Sequence, residues 1–281
     1  MNTAFYQITC LTELHMGSGE NNFHIIDKTV ERDPVTQYPM MNASGVKGAL
    51  VEFFKRAKNS NTVTLFGAPA GIEVKAEDGK AKVTKNSTPG NLRILAAKLL
   101  GRAVRASSGN EAYYIATTLT ALKEYNNLAF CLTGTYPLAI PELSKDKNYF
   151  VAPGSQVKQI GVDGIIVEEA LTGTFAGQLL ELLFTDKTDC PGVAILTDSC
   201  FRSIALPVSA RNYLIDGISE NLWYEENVPN HSSFWFAVQG SQENLNCFEQ
   251  GLGNHIVQFG GDASVGKGMC LLRKMEVNNA E

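Results

Sequence analysis

The sequence predicts an α+β fold, and three observations carry that expectation. Alternating apolar and polar residues mark strand candidates towards both ends of the chain, and apolar residues at helical spacing mark helices among them. These segments follow no regular strand–helix–strand period, which would mark a parallel α/β sheet. The chain has 281 residues, 44% of them hydrophobic, which is enough to bury a substantial core. It contains no internal repeat and no low-complexity linker.

Taken in order, residues 4–16 read as an opening strand through Ile8, Cys10 and Leu11. A polar loop follows from Gly17 to about Ala43 and contains DKTVERDPVTQYP. Ser44 reads as the N-cap of a helix with Val46, Leu50, Phe53 and Phe54 on one face and Lys47, Lys55, Arg56 and Lys58 giving it a basic side. Residues 68–91 look like an exposed loop, and 91–104 fit helix or strand equally well. YYIATT at 113–118 reads as a strand with a short helix after it, and 176–184 reads as a helix. Residues 149–171 read as a hairpin around the turn Gly161-Val162-Asp163-Gly164. The last third returns to strands (VAILTD, RSIALPVSARNYLI, SSFWFAVQG, HIVQFGG), with a helix at ENLNCFEQGLG.

Composition narrows the function. No run of about 18 apolar residues is present, and the N-terminus lacks the pattern of a secretion signal, so a cytoplasmic, non-membrane protein is expected. The six cysteines include no CxxC pair and read as reduced thiols, and the four histidines are not clustered with them as a zinc site requires. The net charge of −5 argues against simple electrostatic coating of nucleic acid. Any RNA binding must therefore use local basic groups and backbone N–H groups.

Four segments could carry chemistry. Asp27 sits in the polar loop with Glu31, Arg32 and Asp33 close behind. This is either a solvated charged loop or a carboxylate set at a phosphate backbone, binding a divalent ion or assisting proton transfer from a 2′-hydroxyl. The helix start ASGVKGAL offers N–H groups and Lys47 to a phosphate, or is an ordinary capped helix. GGDASVGKG at 260–268 fits the start of a P-loop from Gly261 to Lys267, but Gly268 replaces the required Ser or Thr. Nucleotide hydrolysis is therefore disfavoured, although such a loop can still present amides to phosphate. His15 and His24 are candidate general bases, and Glu225 and Glu226 read as an exposed acidic turn beside aromatic core residues.

The blocks LHMGSG, HIIDKTVERDPVTQYP, ASGVKGAL and LFGAP, with SARNYL, LWYEENVP and QFGGDASVGKG near the far end, resemble the RAMP superfamily. The closest likeness is to the backbone subunit of type III-B CRISPR effectors. The resemblance covers most of the chain and is weakest in 120–200. It implies a single domain over 1–281: a ferredoxin-like, RNA-recognition-motif-like palm with inserted loops and a thumb β-hairpin. It further implies partners, namely a guide RNA, a target RNA, further copies of the chain in a filament and the other subunits of the effector.

By that resemblance Asp27 is the catalytic loop aspartate and the holder of a weakly bound Mg or Mn ion in an RNA-guided endoribonuclease. Ser44, Gly45, Lys47 and Arg56, with Gly260, Gly261, Gly266, Lys267 and Gly268, hold guide RNA. The thumb falls at 149–171, with Val151, Val157, Ile160 and Ile165 in its strands. The sequence departs from the family at Ala96, Ala97 and Ala103, where an acidic residue and a proline are common. Two other readings remain open: a non-catalytic RNA-binding scaffold, and a free-standing precursor-processing endoribonuclease with His15 or His24 as base.

Overall fold

Period-two alternation at the N-terminus becomes β1 (Asn2–Cys10), and it has apolar residues on both faces. Ala4, Tyr6, Ile8 and Cys10 join one hydrophobic cluster and Phe5 joins a second, so helices must cover both sides. The computed structural model describes residues 1–19, 25–68, 87–153, 158–184, 190–253 and 256–277, and the backbone of 72–74 and 81–83.

In chain order, β1 is followed by α1 (Ala43–Arg56), β2 (Ala97–Ser108), β3 (Tyr113–Thr118), α2 (Leu119–Thr133) and β4 (Tyr149–Val151). Next come β5 (Ile160–Val162), β6 (Ile165–Val167), α3 (Thr174–Leu183), β7 (Val193–Leu196) and α4 (Asp198–Ser203). The chain then forms β8 (Val208–Ile215), β9 (Ile218–Glu226), β10 (Ser233–Gly240), α5 (Gln242–Leu252), β11 (Ile256–Gln258) and β12 (Met269–Met275). The central strands lie in the order β2–β10–β1–β12, all antiparallel. With α1 after β1 and α5 after β10, this is the βαββαβ connection of a ferredoxin-like palm.

Between β2 and β10 the chain inserts everything from β3 to β9. β3 pairs antiparallel with β2, β7 parallel with β3, and β4 antiparallel with β7, which widens the sheet. α1 and α5 cover one face, where Phe248 meets Phe54, Phe66 and Tyr6 at ring distances of 5.7, 6.1 and 5.3 Å. α2 and α3 cover the other, where Leu122, Tyr125 and Leu179 pack with Phe5 and Trp235.

Several expectations change. The N-cap of α1 is Asn42 rather than Ser44, which lies inside the helix. Residues 91–104 hold strand rather than helix, at Arg93–Ile94 and from Ala97 onward, and the expected loop at 68–91 contains the paired short strands 72–74 and 81–83. RSIALPVSARNYLI is not one strand, because Asp198–Ser203 is helical and the strand begins at Val208.

The span 149–171 is not one hairpin either. β5 and β6 pair antiparallel across Asp163-Gly164, both at positive φ (49° and 84°), while Tyr149 and Phe150 pair in parallel with Glu169 and Ala170. β4 belongs to the main sheet, and β5 is docked on β2. Val151 and Ile160 are buried and Ile165 is half-buried, so these residues are core rather than a projecting arm; Val157 lies outside the described residues. The projecting hairpin is β8–β9. It turns at Asp216-Gly217 (φ 50° and 81°) and leaves Tyr213, Ile218 and Leu222 57%, 66% and 54% exposed.

Candidate nucleic-acid interface

Asp27 is exposed, yet its place is fixed. Its Oδ2 accepts the Tyr224 N–H at 2.7 Å, and the Asp27 and Lys28 N–H groups both donate to the Tyr224 carbonyl at 3.1 Å. The Glu226 N–H donates to the Lys28 carbonyl, and Lys28 Nζ stands 5.0 Å above the Trp223 ring. The aspartate loop is thus zipped along β9 at the base of the projecting hairpin. Further along the loop, Asp33 folds DPVT into a turn by accepting the Val35 and Thr36 N–H groups at 2.9 Å. Burial would raise the Asp33 carboxyl, but Lys98 and those two amides outweigh it and hold it at about 2. Asp33 is therefore a structural anchor.

Beneath Asp27 lies a buried charge network that sequence patterns did not show. Glu225 and Glu226 are 0% and 6% exposed, which corrects their reading as an exposed acidic turn. Lys267 Nζ donates to Glu225 Oε1 at 2.8 Å and to Asn227 Oδ1 at 2.7 Å. Burial alone would raise the Glu225 carboxyl; Lys267, Asp262 and His15 together hold it at about 2. Arg32 donates to Glu226 Oε1 at 2.5 Å, while Glu226 Oε2 accepts the Val30 N–H at 3.0 Å. His15 is buried, with Nδ1–H donating to the Glu226 carbonyl at 2.7 Å. It is a packing residue rather than an exposed base. His24 lies outside the described residues.

The glycine loop is turned inward at Lys267 and Gly268, which are buried, while Gly260, Gly261 and 263–266 are exposed. The ammonium of Lys267 is spent on Glu225 and Asn227 and so is not offered to a phosphate, which corrects its assignment. The Gly261 and Gly268 N–H groups donate to the His15 and Glu13 carbonyls at 2.9 and 2.8 Å, and the Gly266 N–H to the Ala263 carbonyl. A Cβ on Gly260 or Gly268 would lie 2.2 Å from the His15 oxygen or 1.9 Å from the Phe259 oxygen. The glycines are needed for this close backbone packing. The loop clamps the segment after β1 to the hairpin base.

The start of α1 is partly exposed. Ser44 and Gly45 are exposed, no acidic residue lies in the first turn, and Asn42 makes no side-chain cap. The Glu31 carboxylate accepts the Asn42 N–H at 3.1 Å, so an acidic side chain already stands at this helix end beside the half-buried Lys47. Arg56, at the other end, is held by Glu52 at 2.9 Å. Among the described residues no group of three or more His, Cys, Asp or Glu side chains stands ready for a metal. No helix among them is long and apolar enough to cross a membrane.

A βαββαβ palm with a long insertion, a projecting hairpin and an anchored aspartate at its base defines the class: an RNA-recognition-type domain elaborated by insertions. Residues 7–270 match the model of the RAMP superfamily, and the chain belongs to that superfamily. No curated protein sequence matches it. Among solved structures it is similar to a type III-B Cmr-beta subunit bound to cognate target RNA. That match has a TM-score of 0.74 and 21% identity, and covers 98% of this chain and 97% of that one. The apo state of Cmr-beta gives 0.72 and 20%, covering 98% of both. Oligomeric Cmr4 from Pyrococcus furiosus gives 0.68 and 19%, covering 99% and 100%.

Proposed function

We propose that the chain is a guide-RNA-binding filament subunit of a type III-B CRISPR effector, and that Asp27 supports cutting of the paired target RNA. The observation that carries the reading is the clamping of an exposed carboxylate to the Tyr224 backbone at the root of the long projecting hairpin β8–β9. In this reading β8–β9 takes the thumb role and enters the guide–target duplex, since the strands at 149–171 are spent on the sheet. The α1 start and Lys47 hold the guide backbone, and base pairing reads the sequence.

The carboxylate next to a displaced nucleotide would favour proton removal from the 2′-hydroxyl that attacks the adjacent phosphate. A divalent ion needs six or more oxygens and Asp27 offers one carboxylate, so RNA phosphates and water must complete any such site. A bound ion would neutralise developing charge on the phosphate. The buried His15 weakens the alternative of a histidine-based processing enzyme.

The test is Asp27→Asn in the assembled ribonucleoprotein. Asparagine keeps an oxygen for the Tyr224 N–H and removes only the charge. Guide content and target affinity should match the parent, while cleavage in magnesium or manganese falls roughly 100-fold or more, as for loss of a positioned acid–base group. Full-rate cleavage by the variant would leave the scaffold reading.

A further inference from the structure

Arg102 is 3% exposed and sits at the seam of two adjoining grooves that no sequence motif marked. Its guanidinium donates to the Phe201 and Ile204 carbonyls at 2.8 and 2.5 Å and lies 4.6 Å from the Phe201 ring. Its Nε is buried with no partner among the described residues. A buried charged group with an unmet donor points to a missing acceptor. The smaller groove, about 260 Å³, runs from Arg102 past Arg202 to the Arg32–Glu226 pair beneath the Asp27 loop. The larger, about 530 Å³, is lined by Arg105, Tyr113, Asp163, Asn230 and His231. That volume lies within the range of roughly 300–1,000 Å³ usual for small-ligand sites.

The larger groove has the parts of a nucleotide site. Tyr113 and His231 stack with ring centroids 4.8 Å apart and planes 17° from parallel. His231 is exposed and held at φ 63° by its N–H bond to the Cys10 carbonyl at 2.7 Å, an uncommon backbone for a residue with a side chain. Arg105 is 81% exposed and makes a loose ion pair with Asp163 at 3.9 Å.

We infer that this groove cradles an unpaired ribonucleotide, its base extending the His231–Tyr113 stack and its phosphate meeting Arg105. Stacking on aromatic rings with an arginine nearby is how unpaired RNA is held without a sequence code. The inference rests on the RNA-binding reading above and adds to it a second contact, joined by the Arg102 seam to the Asp27 side.

The experiment uses the assembled ribonucleoprotein carrying thiouridine either in the guide or in the target. Irradiation followed by peptide mapping should place a cross-link on the segments holding Tyr113 and His231, and the labelled strand that reacts identifies the source of the nucleotide. His231→Asn keeps a side chain suited to positive φ but lacks the ring; His231→Phe and Tyr113→Phe keep the rings. The asparagine variant should lose the cross-link and weaken binding of the reacting strand roughly 5- to 150-fold, with the phenylalanine variants retaining both. A complex that holds guide and target normally, gives no cross-link here and is indifferent to His231→Asn overturns the cradle but leaves the RNA-binding reading intact. A complex free of RNA overturns both.

Discussion

Lys267 shows how a residue type misleads when its surroundings are unknown. In the linear sequence it completes a phosphate-binding pattern, while in the fold it neutralises a glutamate with no exposure to solvent. Removing one partner of a buried pair strands the other charge, which costs about 3–5 kcal/mol. Lys267→Met should therefore destabilise the chain by that amount in urea unfolding, far more than loss of a surface lysine. The pH profile supplies the signature. Glu225 is depressed from 4.5 to about 2, so its contribution is present above pH 4.5 and is lost as pH falls towards 2. The parent should lose stability across that window, and Lys267→Met should flatten this part of the profile. A variant as stable as the parent, with the same acid limb, would show that the pair does not hold the hairpin base. No sequence signal separated Glu225 from a surface acid. Asp27 could be singled out because its block resembles a family pattern, whereas its anchoring by Tyr224 is a contact across 197 residues.

At the scale of elements, legibility followed burial pattern and turn chemistry. Strand β3 matches its sequence-predicted bounds of 113–118, since YYIATT is both β-favouring and buried. Residues 91–104 stayed ambiguous because a strand covered on both faces shows no alternation. The two hairpins were confused for a similar reason. Both turn on Asp-Gly, at 163–164 and 216–217, the dipeptide suited to two residues at positive φ. What separates them is the alternate packing of β5 on β2, a long-range pairing invisible in the sequence. The distinction can be tested by replacing residues 213–221 with Asp-Gly, which joins the paired Asn212 and Leu222 through a new tight turn. The removed tip includes the exposed Tyr213, Leu214, Ile215 and Ile218, so the thermal midpoint should move by no more than about 2–4 °C. Cleavage of target by the assembled complex should be lost. Full activity in the shortened protein would remove β8–β9 from the thumb role.

For the whole molecule the puzzle is an acidic chain that is proposed to hold RNA. The net charge is −5, and several cations are already committed: Lys267 to Glu225, Lys98 to Asp33 and Glu124, Arg32 to Glu226, and Arg56 to Glu52. On that proposal binding falls to a few sites, chiefly Lys47 at the start of α1 beside the Glu31 carboxylate, and to helix and backbone dipoles rather than to a basic face. Such a protein should show a shallow dependence on salt. Each phosphate neutralised on a single strand contributes about −0.7 to the slope of log affinity against log salt concentration. Measured per subunit in the assembled complex, Lys47→Ala should weaken guide binding equally for unrelated guide sequences and make the slope shallower by about 0.7. Lys267→Met should leave the slope unchanged even where it lowers stability, because its charge is internal. A reversal, with the slope following Lys267 and ignoring Lys47, would mean that the glycine loop opens on binding RNA and that the clamp seen here is its resting form.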